Sequence, residues 1–455
     1  MKRTATVFMT ICVVLSLLSA CGGSTAGGAD AQVQLKNLSA TVQLSELPNA
    51  KSGHNTPASE GTVYYEEEII QILKGATLLA GGGGGSYSLG MGILDSFKEK
   101  NPDVPVKIKV YDVNSMGDGD STFGVGIMGS PTAHAPVSEL ADVALNSYRE
   151  TLELAKRYEK NPQYAIALEL GGANTLIPLL CAMKYDLKVL DADLCGRAVP
   201  GLDTAMSAVN GLPTSPFALT DGDRNSYDIN MADANDAEGV ESVAVAILNQ
   251  LETNGGFTGF YFSQEEVQDN IPTNSLSRCL RIGQVIEEFQ SMTIAERREN
   301  PLFDMLKNLK DPISAVTLTK EASPVQNFHQ ESAAGGARDK GYYYLGNEGE
   351  AGNYFFIQFN NETMAVSVLN EENGFDCIAT APCIITMYDE ATGLPLTNAD
   401  IKEAVDNGEG DELHVMLGIV ETDEKWWNDI DAVTAAWQPY WVEAGYEGEL
   451  VCYPF

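Results

Sequence analysis

Two hydrophobic periods alternate along the chain between residues 62 and 310. Apolar residues spaced three and four positions apart predict helices, whereas short apolar runs between turn residues predict buried strands. Strands that alternate with helices in this way are typical of an α/β domain with a mainly parallel sheet and helices on both faces. The predicted helices cover residues 66–74, 136–160, 174–184, 236–251 and 275–291, and the predicted strands cover residues 76–80, 106–110, 122–128, 165–170, 189–192 and 256–262.

The pattern changes after residue 311. Short apolar runs now follow one another between turns rich in Gly, Asn and Asp, which is typical of strands joined by tight connections. These runs cover residues 316–318, 342–345, 354–359, 364–369 and 384–388. The sequence therefore predicts an α/β domain over residues 62–310 and a second, β-rich domain over residues 311–455.

A run of five glycines, residues 81–85, separates the predicted strand 76–80 from a helical pattern that begins after Ser86. Five glycines in a row cost folding entropy that an ordinary turn avoids, so we expect a ligand to lie against this backbone. Free N–H groups in such a loop, with Ser86 as the N-cap of the helix, favour an anion or a polarised carbonyl or sulfur. A flexible glycine turn is the alternative. The loop is not a P-loop, because no Gly-Lys-Ser/Thr follows.

The same order of strand, glycines and helix returns at residues 168–174, Leu-Glu-Leu-Gly-Gly-Ala-Asn, with Asn174 as a predicted N-cap. Asp191, Asp193 and Arg197 come at and after the end of the next predicted strand. Carboxylates that follow neighbouring parallel strands meet in one crevice, so Glu169, Asp191 and Asp193 are candidate site residues. Helix capping by Glu169 and Asp191, and an ion pair between Asp193 and Arg197, are the structural alternatives.

The first residues have the features of an export signal. Lys2 and Arg3 precede an apolar run over residues 7–18, and Leu-Ser-Ala-Cys then ends at Cys21, which resembles the lipobox of bacterial lipoproteins. Residues 1–21 are therefore predicted to be a lipoprotein signal peptide, with Cys21 lipidated and the protein anchored outside the cytoplasm. A plain signal peptide and a membrane span are the alternatives. Residues 22–61, rich in Gly, Ala, Ser and Thr, are predicted to be a flexible tether.

Charge and cysteine content narrow the possible partners. A formal net charge of −36 argues against nucleic acid and against direct adhesion to anionic lipid. Cation binding is compatible with this charge but is not indicated by any motif. The cysteines match no zinc pattern, and we expect mostly free, buried thiols, with Cys377 and Cys383 as the most plausible local disulfide. The sequence identifies no metal, cofactor or oligomeric state.

Several phrases resemble the S-methyl-thiohydantoin desulfurase family, over the body from about residue 65 to the end. They are GGGGGSYSLG at 81–90, GIMGSPT at 126–132, ELGGANTLIPLL from Glu169, VLDADLCGRAVPGLDTA at 189–205, and a later phrase that contains Asn361 and Glu362. Two phrases depart from the family. Ser86-Tyr87-Ser88 stands where the family has Asp-Pro-Tyr, and Pro200-Gly201 stands where it has Pro-Glu.

The resemblance implies an enzyme that acts on a small cyclic amide of the hydantoin or thiohydantoin type. Asp193 is the first choice for the carboxylate that activates water, with Asp191 and Glu169 as alternatives, and Arg197 would orient the substrate. A solute-binding lipoprotein without turnover and an envelope scaffold are the other hypotheses. The residues predicted to bind substrate are Gly82, Gly83, Gly84, Gly85, Ser86, Gly171, Gly172, Asn174, Asn361 and Glu362.

Overall fold

The computed structural model describes most of the body of the chain. The described residues are 32–37, 60–129, 136–221, 223, 225–251, 254–332, 338–372 and 374–455. The predicted signal peptide, Cys21 and most of the predicted tether lie outside these residues, but residues 32–37 of that predicted tether form a strand that pairs with residues 225–230.

A large mixed sheet organises the first half of the described chain. Its four central strands are parallel and adjacent in the order β4-β5-β6-β3, and antiparallel strands flank them on both sides. This confirms the predicted α/β class, with the parallel arrangement concentrated in the centre of the sheet. The strands are β1 (Gln32–Asn37), β2 (Thr62–Tyr65), β3 (Lys107–Tyr111), β4 (Ser121–Met128), β5 (Pro162–Ala167), β6 (Lys188–Asp193), β7 (Phe217–Thr220), β8 (Asn225–Asn230) and β9 (Gly255–Gly259).

Apolar side chains cover both faces of this sheet. Along β5, Tyr164 and Ile166 belong to one hydrophobic cluster and Ala165 to another, because successive side chains of a strand point to opposite faces.

The helices are α1 (Glu66–Leu79), α2 (Tyr87–Lys100), α3 (Val137–Arg157), α4 (Leu176–Tyr185), α5 (Met206–Val209), α6 (Ala237–Leu251), α7 (Gln264–Asn270), α8 (Ser275–Ser291), α9 (Ile294–Glu299), α10 (Leu302–Lys307), α11 (Asn398–Asp406) and α12 (Ile430–Glu443).

The prediction of a strand at residues 76–80 is wrong, since α1 continues to Leu79. The run is continuously apolar because this end of the helix is buried all round, which periodicity alone does not distinguish from a buried strand. Close packing of α1 on α8 contributes to that burial. A side chain at Gly75 would overlap the backbone of Cys279, and one at Gly283 would overlap the backbone of Gln71.

Two antiparallel sheets form the β-rich part. One has the order β11-β12-β13-β14-β15 and the other β10-β18-β16-β17. Their facing side chains share one core, which includes Tyr343, Ile357, Met387 and Leu417. The strands are β10 (Ala315–Thr317), β11 (Val325–Ser332), β12 (Asp339–Leu345), β13 (Phe355–Asn360), β14 (Glu362–Asn370), β15 (Gly374–Thr380), β16 (Ile384–Asp389), β17 (Pro395–Leu396) and β18 (Val415–Val420).

The two halves of the chain form separate sheets but are joined by hydrogen bonds at the first glycine loop. Described strands up to Gly259 lie in the first sheet, and those from Ala315 lie in the other two. Thr363 N–H donates to the Gly81 carbonyl at 2.8 Å, and Asn398 N–H donates to the Gly82 carbonyl at 2.9 Å. Within the described residues, no helix is both long and apolar enough to cross a membrane.

Candidate functional site

The two glycine loops predicted from the sequence lie directly against one another. Gly172 N–H donates to the Gly85 carbonyl at 2.9 Å, and Asn174 N–H donates to the Gly84 carbonyl at 3.1 Å. A side chain at Gly171 would overlap the Gly84 backbone, and one at Gly172 would overlap Ser86. Glycine is therefore required here mainly for close backbone approach. In the part of the chain that the structure describes, the N–H groups of Gly83, Gly84 and Gly85 donate to no oxygen.

The two predicted N-caps have different outcomes. Ser86 caps α2, because its Oγ accepts a hydrogen bond from Leu89 N–H at 3.1 Å. Asn174 does not cap α4, because the N-cap of that helix is Thr175 and its first residue is Leu176. Its side-chain amide instead donates to Glu169 Oε1 at 2.6 Å. Asn174 therefore holds a carboxylate in place rather than the end of a helix.

A cavity of about 260 Å³ opens beside these loops, past the carboxyl ends of the parallel strands β4 and β5. This is the edge at which α/β sheets bind ligands. One part of its wall is apolar and includes Leu89, Ile127, Met128, Val245, Leu248 and Phe257. The polar part includes Glu169, Asn174, Glu241, Asn361 and Glu362, next to Gly84 and Gly85.

Glu169 follows β5 and is 5% exposed. Its Oε2 accepts a hydrogen bond from Val199 N–H at 2.7 Å, and its Oε1 accepts the bond from Asn174. Burial raises the pKa of Glu169 to about 7, although these two donors and the charge of Arg197 act in the opposite direction. The carboxyl group of Glu169 therefore changes charge near neutral pH.

Glu362 is the second buried carboxyl group, at the start of β14. It is 2% exposed, and its Oε2 has no hydrogen-bond partner among the described residues. Burial and the nearby charge of Glu169 raise the pKa of Glu362 well above its ordinary value, while Arg197 lowers it. An alanine side chain at Gly83 would overlap Glu362 Oε1, so the first glycine loop packs directly on this carboxyl group.

Arg197 is fully buried, and its charge acts on both carboxyl groups. Its Nε donates to the Ala198 carbonyl and its Nη1 to the Cys383 carbonyl, each at 2.8 Å, and its guanidinium lies 5.0 Å from the ring centroid of Trp437. Its Nη2 has no hydrogen-bond partner among the described residues. Burial lowers the pKa of Arg197 to about 10, so it stays cationic at neutral pH. The site thus combines a fixed cation with two buried carboxyl groups.

Asp191 and Asp193 have different surroundings and do not line the cavity. Asp191 Oδ1 accepts hydrogen bonds from the N–H groups of Leu276 and Ser277, at the start of α8. Asp193 accepts three hydrogen bonds, from Cys195 N–H at 3.0 Å, Gly196 N–H at 2.6 Å and the Ser275 hydroxyl at 2.5 Å. The described structure contains no ion pair between Asp193 and Arg197.

Some of the other residues predicted to bind substrate line a cavity, and the rest do not. Gly82 and Gly83 line a small neighbouring cavity of about 20 Å³. Asn361 lines both cavities. Its backbone is in the left-handed region, with φ of 59°, and its side-chain oxygen accepts a hydrogen bond from Asp339 N–H at 2.8 Å. Ser86, Gly171 and Gly172 are not among the residues that line the larger cavity.

Sequence reasoning did not find Glu241 or Arg338. Glu241 accepts hydrogen bonds from Leu202 N–H at 3.1 Å and from Arg338 Nη2 at 3.0 Å. It therefore brings a carboxylate next to the Pro200-Gly201 segment, where the family phrase has an acidic residue. No local signal marks Glu241, because an isolated glutamate in the amphipathic α6 reads as a surface position.

Neither a metal site nor a disulfide is present in the described residues. No cluster of His, Cys, Asp or Glu in this part of the chain could hold a metal ion. Cys377 and Cys383, the most plausible local pair in the sequence, are not bonded to each other. The six cysteines among the described residues are free, and four of them, Cys181, Cys195, Cys279 and Cys383, are buried.

The fold is that of a two-part α/β protein with a cavity at the carboxyl edge of a parallel sheet. Two family models match most of the chain, one described as the S-Me-THD-like N-terminal domain over residues 67–230 and the other as the S-Me-THD-like C-terminal domain over residues 234–420. The chain therefore belongs to the S-methyl-thiohydantoin desulfurase-like family, which confirms the resemblance seen in the sequence.

A solved structure supports the fold. The crystal structure of a protein from Chromobacterium violaceum is 20% identical to this chain, with a TM-score of 0.70, and the match covers 86% of this chain and 99% of that one. Similarity at this level of identity shows a shared fold and nothing more specific. No curated protein matches this chain.

Proposed function

We propose that this protein is an enzyme that acts on a small cyclic amide of the hydantoin or thiohydantoin type in the cavity beside the glycine loops. The observation that carries the proposal is the buried pair Glu169 and Glu362, which interact electrostatically with each other and with the charge of Arg197. Buried ionisable groups with perturbed pKa values that meet at a cavity are typical of catalytic sites. Family membership supports the substrate type.

The two carboxyl groups share one negative charge near neutral pH. Neighbouring buried carboxylates do not both ionise readily, because their charges repel in a medium of low dielectric constant. Glu169 is the ionised partner, since Val199 N–H and the Asn174 amide stabilise its charge. Glu362 keeps the proton, because no donor meets its Oε2. The pair therefore supplies a general base and a general acid at once.

In the proposed reaction, Glu169 takes a proton from a water molecule as that water attacks an electrophilic ring carbon. A C–O bond forms, and the negative charge that develops on the exocyclic oxygen or sulfur of that carbon, or on the adjacent ring nitrogen of an S-methyl derivative, lies near the N–H groups of Gly84 and Gly85. Glu362 then gives its proton to the departing nitrogen or sulfur as the C–N or C–S bond breaks. Arg197 Nη2 stabilises the negative charge of the carboxylate pair. The step is a hydrolysis and uses only water.

The test is a screen of hydantoins, thiohydantoins and their S-methyl derivatives against the purified body, by thermal shift and then by product analysis. We expect at least one compound to raise the melting temperature of the protein. We also expect that compound to be converted to product much faster with the protein than without it. Tight binding without conversion at every pH and with every metal tried would reject the enzyme in favour of the second hypothesis, a solute-binding lipoprotein. No binding by any of these compounds would reject the substrate type.

We also propose that the reaction takes place outside the cytoplasm, on a body anchored through lipidated Cys21. The support is the Leu-Ser-Ala-Cys sequence behind an apolar run. Mass spectrometry of the protein from its native host should show a mature N-terminus at Cys21 that carries lipid. An uncleaved chain or an unmodified Cys21 would contradict this.

A further inference from the structure

The last residues of the chain lie next to Cys383. Thr380 N–H donates to the Val451 carbonyl at 2.9 Å, and Val451 N–H donates back to Thr380 Oγ1 at 3.0 Å. Cys383 Sγ lies 3.9 Å from the Val451 carbonyl oxygen. These contacts attach the C-terminal segment to the connection between β15 and β16.

The thiols of Cys383 and Cys452 lie close enough to interact, since Cys452 directly follows Val451, whose carbonyl oxygen is 3.9 Å from Cys383 Sγ. The Cys383 sulfur interacts with the Tyr453 N–H and with the thiol of Cys452, so three consecutive residues of the C-terminal segment surround it. Cys383 is 3% exposed, whereas Cys452 is open to solvent. One thiol of the pair is thus accessible to a reagent, and the other lies where it can reach the first.

We propose that Cys383 and Cys452 form a disulfide bond that fastens the C-terminal segment to the β-rich part of the protein. The bond would close a loop between residues 383 and 452, and a covalent link over so long a loop restricts the unfolded chain strongly. Cys383 also supplies the carbonyl that accepts the Arg197 Nη1 hydrogen bond at 2.8 Å. The link therefore restrains the segment that positions the buried guanidinium.

The chemistry of bond formation is thiol–disulfide exchange with an external disulfide oxidant. Cys452 attacks as the thiolate, because its hydrogen bond with Cys383 lowers the pKa of Cys452 to about 7. A mixed disulfide forms, and one thiol of the oxidant leaves with a proton. Cys383 then loses its proton and attacks the Cys452 sulfur, which releases the second thiol of the oxidant. Two protein thiols are oxidised and one disulfide of the oxidant is reduced.

This inference is independent of the proposed function and has its own test. The full chain is incubated with oxidised glutathione, its free thiols are blocked, and it is digested without reduction for mass spectrometry. We expect a cross-linked peptide that joins Cys383 to Cys452 and that disappears in Cys452→Ser. Cys377→Ser is the matched control, since Cys377 is a nearby partly buried thiol, and this variant should keep the cross-link.

A stability measurement supplies the second readout. Reduction should lower the melting temperature of the wild type by at least about 4 °C, the shift expected from loss of a disulfide in a domain of this size. It should have no comparable effect on Cys452→Ser. Free thiols at both positions after oxidation, a Cys377–Cys383 link, or a Cys452 link between two molecules would each overturn the proposal.

Discussion

Two groups of acidic side chains lie near the carboxyl edge of the same sheet, but their surroundings differ. Asp191 and Asp193, at the end of β6, accept five hydrogen bonds in total from N–H and hydroxyl donors. Glu169 accepts two at the cavity, and Glu362 Oε2 accepts none within the described residues. The aspartates thus hold the backbone and the start of α8 in place, whereas the glutamates retain capacity for a ligand or a proton.

This difference separates a structural carboxylate from a reactive one. Burial raises the pKa of Asp193 to about 7, as it does for Glu169, so the two residues differ in hydrogen bonding and in access to the cavity rather than in the direction of their pKa shifts. An incompletely bonded buried carboxyl group is costly for folding, and such groups are often found at functional sites. Asp193 was the first choice from the sequence, but the geometry supports Glu169 and Glu362 as the reactive pair.

The strongest test of this comparison is Glu362→Gln. We expect turnover to fall by roughly a hundred to ten thousand times, the usual contribution of a positioned general acid or base, with ligand affinity changed far less. Turnover and affinity are measured on a compound identified by the screen. Asp193→Asn is the matched control, because it neutralises a buried carboxylate that lies outside the cavity. Equal losses of turnover in the two variants would contradict the assignment.

Gly83→Ala tests whether the first glycine loop positions Glu362. The new side chain would overlap Glu362 Oε1, so the carboxyl group must move or the loop must shift. We expect turnover to fall by about tenfold or more and the free energy of unfolding to fall by about 1–3 kcal/mol, as for other overpacked sites. In Gly117→Ala the added carbon meets Asp120 Oδ2 at an ordinary 3.4 Å, and both quantities should be almost unchanged.

Asp193→Asn should also show a structural effect. The amide can still accept the Cys195 and Gly196 N–H bonds through its oxygen, but it loses the charge that strengthens them. We expect the free energy of unfolding, measured by denaturant titration, to fall by about 1 kcal/mol, with turnover within about threefold of the wild type. A loss of turnover of a hundredfold or more in a stably folded Asp193→Asn protein would restore Asp193 as the activating carboxylate.

The smallest expected effect is on the pH dependence of stability. Burial raises the pKa of Glu169 from 4.5 to about 7, so the folded state binds this proton more tightly than the unfolded state. The resulting stabilisation is full below pH 4.5 and is lost as the pH rises through about 7. Denaturant titrations across this range should show a smaller decline for Glu169→Gln than for the wild type. An unchanged decline would mean that Glu169 has an ordinary pKa in the folded state.

Much of the fold was determined by patterns that are local in the sequence. Helices such as Ser275–Ser291, predicted with the same bounds, have an apolar stripe and clear ends, and the strand Ile384–Asp389, predicted at residues 384–388, is a short apolar run between turns. The Ser86 cap was also readable, because a capping hydroxyl bonds to an N–H only three residues away. The sequence motifs shared with the family also indicated the overall class of the protein.

The proposal that Glu169 and Glu362 are the reactive carboxylates rests on tertiary structure alone. Glu169 and Glu362 are 193 positions apart, and nothing near either residue shows that one carboxyl group is held by two donors while the other is left partly unpaired. The role of residues 76–80 was likewise decided by their neighbours, since an apolar run buried on all sides suits a helix as well as a strand. Hydrogen-bond saturation and burial depend on contacts between distant segments, and these arise only when the chain has folded.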